Sequence, residues 1–385
     1  MKKRKVPYAI PDIGEREVEE VIDAIKSHWL SKGPKTVQFE QEFSNFVQAD
    51  YAIGLNSCTA GLHLAQLVVG VGPGDEVITT PYTFASTVNT IIHTGATPVL
   101  VDIDPKTMNI NPELIEEKIT EKTKAIIPVH FAGFPCDMDK IMAIAKKHNL
   151  AVIEDAAHAV YTKHKDQMIG SIGDITSFSF YATKNLVTGE GGMVTTNNPE
   201  YAEKMRTMSL HGMSKNAWNR YSDKGSWYYE VEYAGFKYNM TDIQAAFGLV
   251  QLQRIEEMQT KREQIANEYN KAFKEMEGIQ IPFYNDVNRH AWHLYVLRID
   301  EEMFTINRNQ FIEELNERGV GTSVHFIPIH FHPYYQKMGF KVGDYPETER
   351  AFKGEISLPL YPKMSTDDVM YVIQTVQEIV AQFKK

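Results

Sequence analysis

Between residues 50 and 200 the chain alternates short apolar runs with segments of helical period, and that alternation restricts the fold more than any other feature. Residues 51–55, 76–79, 98–101, 125–129, 151–154, 176–180 and 192–196 read as seven strands. Each is nearly continuous in apolar or β-branched residues, the pattern of strands covered on both faces. Residues 137–148 place Met138, Ile141, Met142 and Ala145 on one helical face. Repeated β-α alternation predicts right-handed crossovers and an α/β fold built on a mostly parallel seven-stranded sheet flanked by helices. Ligands of such sheets sit beyond the carboxyl ends of the strands.

Beyond Gly212 the texture changes. Residues 216–239 are dense in Trp, Tyr, Arg and Lys and show no clean period. Thr241-Asp242-Ile243-Gln244 is a capping-box signature and predicts one long helix toward Met276, closed by Gly278 and Pro282. The remainder predicts a smaller α+β C-terminal unit: strands near 293–299 and 322–326, a helix near 308–317 and a last helix over 366–383. The expected division is a large α/β domain with an amino-terminal arm over 1–255 and a small domain over 256–385.

Charge narrows the function classes. With 40 Lys+Arg against 50 Asp+Glu, the formal charge is −10, which opposes general binding to nucleic acid or to an anionic membrane. Two cysteines, Cys58 and Cys136, are too few for a disulfide framework or a Cys-rich zinc site. No apolar run approaches the ~20 residues that span a bilayer, and no apolar signal segment follows Met1–Lys5. A cytoplasmic protein is the expectation.

Three segments at predicted strand ends carry chemistry. In residues 177–185 (SFSFYATKN), followed by Gly189-Glu190-Gly191-Gly192, a strand enters a turn that presents Lys184. Desolvation in a cleft lowers a lysine pKa and makes the amine nucleophilic toward carbonyls; taken alone, a surface lysine is the commoner case. In residues 151–158 (AVIEDAAH), Asp155 stands one step past a strand, where a buried carboxylate needs a partner such as a protonated ring nitrogen. A helix N-cap at Asp155 fits the local pattern equally well, and His158 reads as part of a cofactor wall or as a satisfied core histidine. Residues 56–61 (NSCTAG) open an apolar helix, so Ser57 or Thr59 can bind an anion at the helix amino terminus or simply cap it. Pro81-Tyr82-Thr83-Phe84 brings aromatics to the same rim, with Phe84 either stacked on a planar ring or in the core.

In this order, and with residues 235–246 (GFKYNMTDIQAA) following, the motifs resemble the DegT/StrS-type sugar aminotransferases, a branch of the fold-type I enzymes that use pyridoxal 5′-phosphate (PLP). The likeness runs from residues 29–34 (WLSKGP), which include Ser31, to residues 357–361 (SLPLY). It implies that Lys184 attaches PLP covalently and then moves a proton between the amino-acid α-carbon and C4′ of the cofactor. It implies that Asp155 keeps the pyridinium nitrogen protonated, that Phe84 stacks on the ring and that His158 packs near it. Thr59, Ala60 through its N–H, and Ser179 would hold the phosphate. The 235–239 motif would reach the neighbouring subunit's site, making Lys237 and Asn239 contacts in trans and a homodimer obligatory. Expected substrates are a nucleotide-linked 4-keto sugar and an amino donor, glutamate giving 2-oxoglutarate. Lys237-Tyr238-Asn239 resembles the subgroup of the 4-amino-arabinose synthase kind that aminates C4 of UDP-linked sugars. A 3-aminotransferase and a PLP-binding regulator are the alternatives; a 3-dehydratase ranks low because those relatives carry histidine where this chain has Lys184.

Ser31, Arg220, Lys237, His325 and His330 are the expected substrate contacts. His325, His330 and His332 lack the carboxylates and helical spacing of a metal site, so no metal is expected. A nicotinamide-dependent dehydrogenase is excluded because no G-x-G-x-x-G turn follows the first strand.

Overall fold

The computed structural model describes residues 4–213 and 228–385. Seven strands form one sheet: β1 (Tyr51–Leu55), β2 (Glu76–Thr79), β3 (Thr97–Leu100), β4 (Thr123–Ile126), β5 (Ala151–Asp155), β6 (Ile175–Ser179) and β7 (Gly192–Thr196). Their order is β1-β7-β6-β5-β4-β2-β3. All neighbours are parallel except β7, which runs antiparallel to both β1 and β6. The expected mostly parallel seven-stranded sheet is therefore present.

Strand periodicity sorts side chains to two cores. Ala52, Ile78, Ile126, Val152 and Met193 face one core, with Phe39 and Phe43 of α1 (Pro34–Val47), Ile141 of α2 (Met138–His148) and Leu249 of α3 (Asp242–Gln253). Their neighbours in the same strands, Ile53, Val77, Ala125, Ile153 and Val194, face the other. There they meet Leu62 and Ala65 of α4 (Cys58–Val68), Ile91 of α5 (Ala85–His93) and Met205 of α6 (Pro199–Met208). Helix α4 is buried almost all round because it lies on the sheet beneath α5 and α6.

The long helix expected after Thr241 is two helices. The capping box forms, with Thr241 Oγ1 accepting Gln244 N–H, but the backbone leaves helical geometry at Arg254 before α7 (Ile255–Phe273) begins. At that bend the Arg254 guanidinium turns onto buried Glu17 at 2.6 Å and onto Asp12, contacts that a straight helix surface does not supply. Asp242 opens α3 and accepts the N–H groups of Gly33 and Thr36 at the start of α1, which satisfies donors a helix leaves unpaired.

Apart from those two layers on the large sheet, a second core belongs to three antiparallel strands, β8 (Ile279–Gln280), β9 (Tyr295–Ile299) and β10 (Glu355–Leu358), packed on α7, α8 (Arg308–Glu317) and α9 (Thr366–Phe383). The strand expected over 322–326 is reduced to one bridge, Ser323 to Ser357. The strand beside that bridge is β10, unforeseen because Glu355 and Ser357 make it look polar. The amino-terminal arm packs with this second core: Val6 is buried there and bridges Val320.

Candidate active site

Strand ends on one edge of the large sheet supply most of the site. β1 leads into the start of α4, β2 into residues 80–84, β5 ends on Asp155, and β6 ends on Ser179, five residues before Lys184. Thr59, Phe84, Asp155, His158, Ser179 and Lys184 line one cavity of about 360 Å³. His325, with Phe326, His293 and Tyr8, closes it from the side of the second core.

The Lys184 amine has no hydrogen-bond or ion-pair partner among the described residues, and the surrounding protein desolvates it. That desolvation lowers its pKa to about 8, although the nearby Cys58 and Asp155 pull the other way. Some of the side chain still meets solvent through the cavity, which moderates the effect.

Asp155 is buried, and burial raises its pKa. Two donors oppose that shift: Thr87 Oγ1 at 2.7 Å on Oδ2 and Ala157 N–H at 3.1 Å on Oδ1. Thr83 supports Thr87 through a hydroxyl–hydroxyl bond of 2.7 Å. The helix expected to start at Ala156 is only a turn, which the Asp155 carboxylate caps through Ala157 N–H while also facing the cavity.

At the other end, Ser57 caps α4 by accepting Ala60 N–H at 3.1 Å. Ala60, expected to hold a phosphate through that N–H, is one residue behind the lining with its donor already engaged. Thr59 is exposed to the cavity, and Ser179 lies across from it on β6. This turn packs so closely on β7 that a Cβ at Gly192 would lie 2.5 Å from Cys58 N. The Cys58 thiol rests against Ser177, and burial pushes its pKa up, so it stays protonated.

Phe84 leaves 61 % of its surface exposed at the cavity, an unusual state for a large apolar ring. His158 accepts Ala132 N–H on Nδ1 at 3.2 Å, so its proton is on Nε2. Its ring lies 4.4 Å, centroid to centroid, from His293, and burial drives both pKa values far down. Asn185 fixes His293 in turn: its amide donates to Ala291 O, leaving Oδ1 to accept from His293 Nδ1 at 3.0 Å.

The other expected contacts are scattered. His330 is a correction: it is buried away from the cavity, bonded to Glu349 at 3.0 Å and packed against Tyr345. Glu349 takes up one ring nitrogen, Nδ1 is buried with no partner among the described residues, and neither reaches the cavity. Ser31 is exposed outside the cavity, where its carbonyl accepts Asp242 N–H. Lys237 is exposed, and Asn239 is buried in a bridge to Leu55, so within one chain neither reaches the lining. Arg220 lies outside the described residues. Among the described residues no three His, Cys, Asp or Glu side chains gather as a metal site.

Sequence reasoning missed Thr87, Tyr8 and His293. Thr83 and Thr87 stand at i, i+4 spacing where a predicted strand passes into a helix, a usable signal. Tyr8 and His293 carry no local signal, since tertiary folding alone brings them in.

Comparison with known proteins gives a consistent result. Residues 11–377 match the DegT/DnrJ/EryC1/StrS aminotransferase family. The chain is 59 % identical over 377 residues to the spore coat polysaccharide biosynthesis protein SpsC of Bacillus subtilis (strain 168), covering 97 % of each. Among solved structures, the putative sugar aminotransferase Spr1654 from Streptococcus pneumoniae superposes with a TM-score of 0.92 at 36 % identity in its PMP-form, covering 98 % of each chain. Its PLP-form superposes equally well. Helicobacter pylori PseC, an aminotransferase involved in the biosynthesis of pseudoaminic acid, gives a TM-score of 0.92 at 29 % identity, covering 99 % of this chain and 100 % of the other.

Proposed function

This chain belongs to the DegT/DnrJ/EryC1/StrS aminotransferase family, and on that premise we propose that it moves the amino group of an amino acid, glutamate, to the keto carbon of a nucleotide-linked 4-keto sugar. The family is PLP-dependent, with fold-type I architecture. The observation that carries the reading is an unpartnered, desolvated lysine amine sharing a cavity with a buried carboxylate.

The residues fit the cofactor. Thr59, Ser179 and the amino terminus of α4 offer donors for a phosphate, Phe84 offers a bare ring face, and Asp155 offers a carboxylate with two of its lone pairs already ordered. Bound PLP supplies an electron sink for the carbon that carries the amino group. Asp155 would hold a proton on the ring nitrogen, and that cation would favour the ionised carboxylate against the upward push of burial. Lys184 would hold the cofactor, and its free amine would serve to move a proton to and from the substrate carbon. At a pKa of about 8 it can accept and return that proton near neutrality. His158 would offer Nε2–H to the cofactor from the cavity wall. His325 faces the sugar, while Ser31, Lys237 and Asn239 act in a homodimer whose subunits share their sites, with Arg220 on the diphosphate. The protein works in the cytoplasm, in amino sugar formation for a polysaccharide, as the name of the SpsC relative suggests.

The test is direct: UDP-, GDP- and dTDP-linked 4-keto sugars are incubated with enzyme, PLP and glutamate, and the products are separated. Amination at C4 of one nucleotide sugar supports the reading. Reaction with 3-keto sugars only would overturn the C4 assignment, and no amination of any sugar would overturn the substrate class.

A further inference from the structure

The wall contributed by the second core holds a chain of three polar side chains, of which the reaction above uses only His325. β10 presents Glu355 and Ser357 on one face, since residues two apart on a strand point the same way. Both are buried. Ser357 Oγ donates to Glu355 Oε1 at 2.6 Å, His325 N–H donates to Glu355 Oε2 at 3.0 Å, and His325 Nδ1 meets Ser357 Oγ at 2.9 Å. The other ring nitrogen, Nε2, has no partner among the described residues, and His325 lines the cavity.

A hydroxyl has one hydrogen, so with the Tyr8 hydroxyl, which also meets Ser357, acting as a donor, this chain can run in two directions. With Glu355 ionised, Ser357 must donate to the carboxylate and accept from His325 Nδ1–H, leaving Nε2 a bare acceptor. With Glu355 protonated, the acid donates to Ser357, Ser357 donates to Nδ1, and Nε2 carries the hydrogen. We propose that Glu355 is a positioning residue that acts through Ser357 to set which His325 nitrogen is protonated, and so whether the cavity offers a sugar oxygen a donor or a sugar hydroxyl an acceptor. The sugar part of this inference rests on the function proposed above.

Passing from one state to the other balances simply. Glu355 loses one proton to solvent, the Ser357 hydrogen swings from Nδ1 to Oε1, and the imidazole exchanges its Nε2 hydrogen for one on Nδ1. His325 stays neutral throughout, because burial and the Lys184 charge lower its pKa to about 4. Burial raises the Glu355 carboxyl to about 8 against the pull of Ser357, the His325 N–H and the Arg308 charge. Tyr8 from the arm and Tyr82 from the segment after β2 also face it, and neither ionises near neutrality. Across the cavity, His325 feels Lys184 and neighbours neutral His158 and His293.

The experiment is nitrogen NMR of the PLP-loaded enzyme labelled in its histidine rings, from about pH 6 to about pH 10, with His325 assigned by loss of its signals in His325→Gln. The inference expects Nε2–H at the low end and Nδ1–H at the high end. Glu355→Gln, whose amide can only donate to Ser357 once its oxygen accepts the backbone N–H, should hold Nε2–H throughout. Ser357→Ala should uncouple the tautomer from pH, which covers the case in which Glu355→Gln fails to fold. KM for the keto sugar should change with pH in the native enzyme and lose that change in Glu355→Gln. One fixed tautomer across the range in the native protein, or Glu355→Gln following the native curve, overturns the inference. The ring signals need no sugar, so a tautomer switch without sugar amination would count against the proposed substrate and not against the relay.

Discussion

The cavity has two unlike walls. The large sheet supplies Lys184, Asp155, Thr59 and Ser179 from adjoining strand ends, and each has one evident task. The second core supplies His325, backed by a polar chain that can run either way. A covalent step gains from groups that are fixed before substrate arrives, whereas recognition of hydroxyls can be adjusted by moving a proton. On the proposed reading, the difference teaches that reaction chemistry and sugar preference are separable, because they rest on different packing units.

Substitutions can break that separation. The largest effect is expected for Lys184→Ala: turnover should fall by about 10³-fold or more, the range for removing a nucleophile and general base together. Near-native turnover in that variant would remove Lys184 from the chemistry. Asp155→Asn keeps the shape and loses the charge, so single-turnover rates with glutamate should drop by about 10²-fold with keto-sugar KM little changed. A rise in KM alone would place Asp155 on the wrong wall.

Next in size is Thr87→Val, which leaves Asp155 short of its 2.7 Å donor. A bond to a charged group is worth about 1.5–3 kcal/mol, so a loss of roughly tenfold or somewhat more in kcat is expected, again without a change in sugar KM. His330→Gln should leave both half-reactions intact while lowering Tm by a few degrees, since only its buried contact with Glu349 is disturbed. A large effect on sugar KM would return His330 to the substrate wall.

The walls also titrate differently. Capture of PLP needs the neutral Lys184 amine, so the loading rate of apoprotein should climb as pH rises through about 8 and level off above it. Stopped-flow absorbance reads this directly, and a climb centred near the ordinary lysine pKa of about 10.4 would show that the amine is not desolvated.

The first wall was legible in the sequence and the second only at His325. Apolar runs located the strands, and strand ends located Lys184, Asp155 and Ser179 within a few residues, because ligand groups in such sheets follow the strands directly. Phe84 and His158 came from the same loops. The second wall depends on Tyr8, His293, His325 and β10, which lie far apart in the chain and meet only through tertiary packing. β10 escaped notice because burying Glu355 and Ser357 as a pair makes an interior strand look polar. His330 misled for the converse reason: beside His325 and His332 in sequence it looked available, while the fold gives it a carboxylate of its own.

Borohydride reduction of the PLP-loaded enzyme, followed by peptide mapping, tests the central claim most directly. The account predicts a single reduced pyridoxyl adduct, on the peptide that contains Lys184. An adduct on another lysine, or none at all from fully loaded protein, would contradict it.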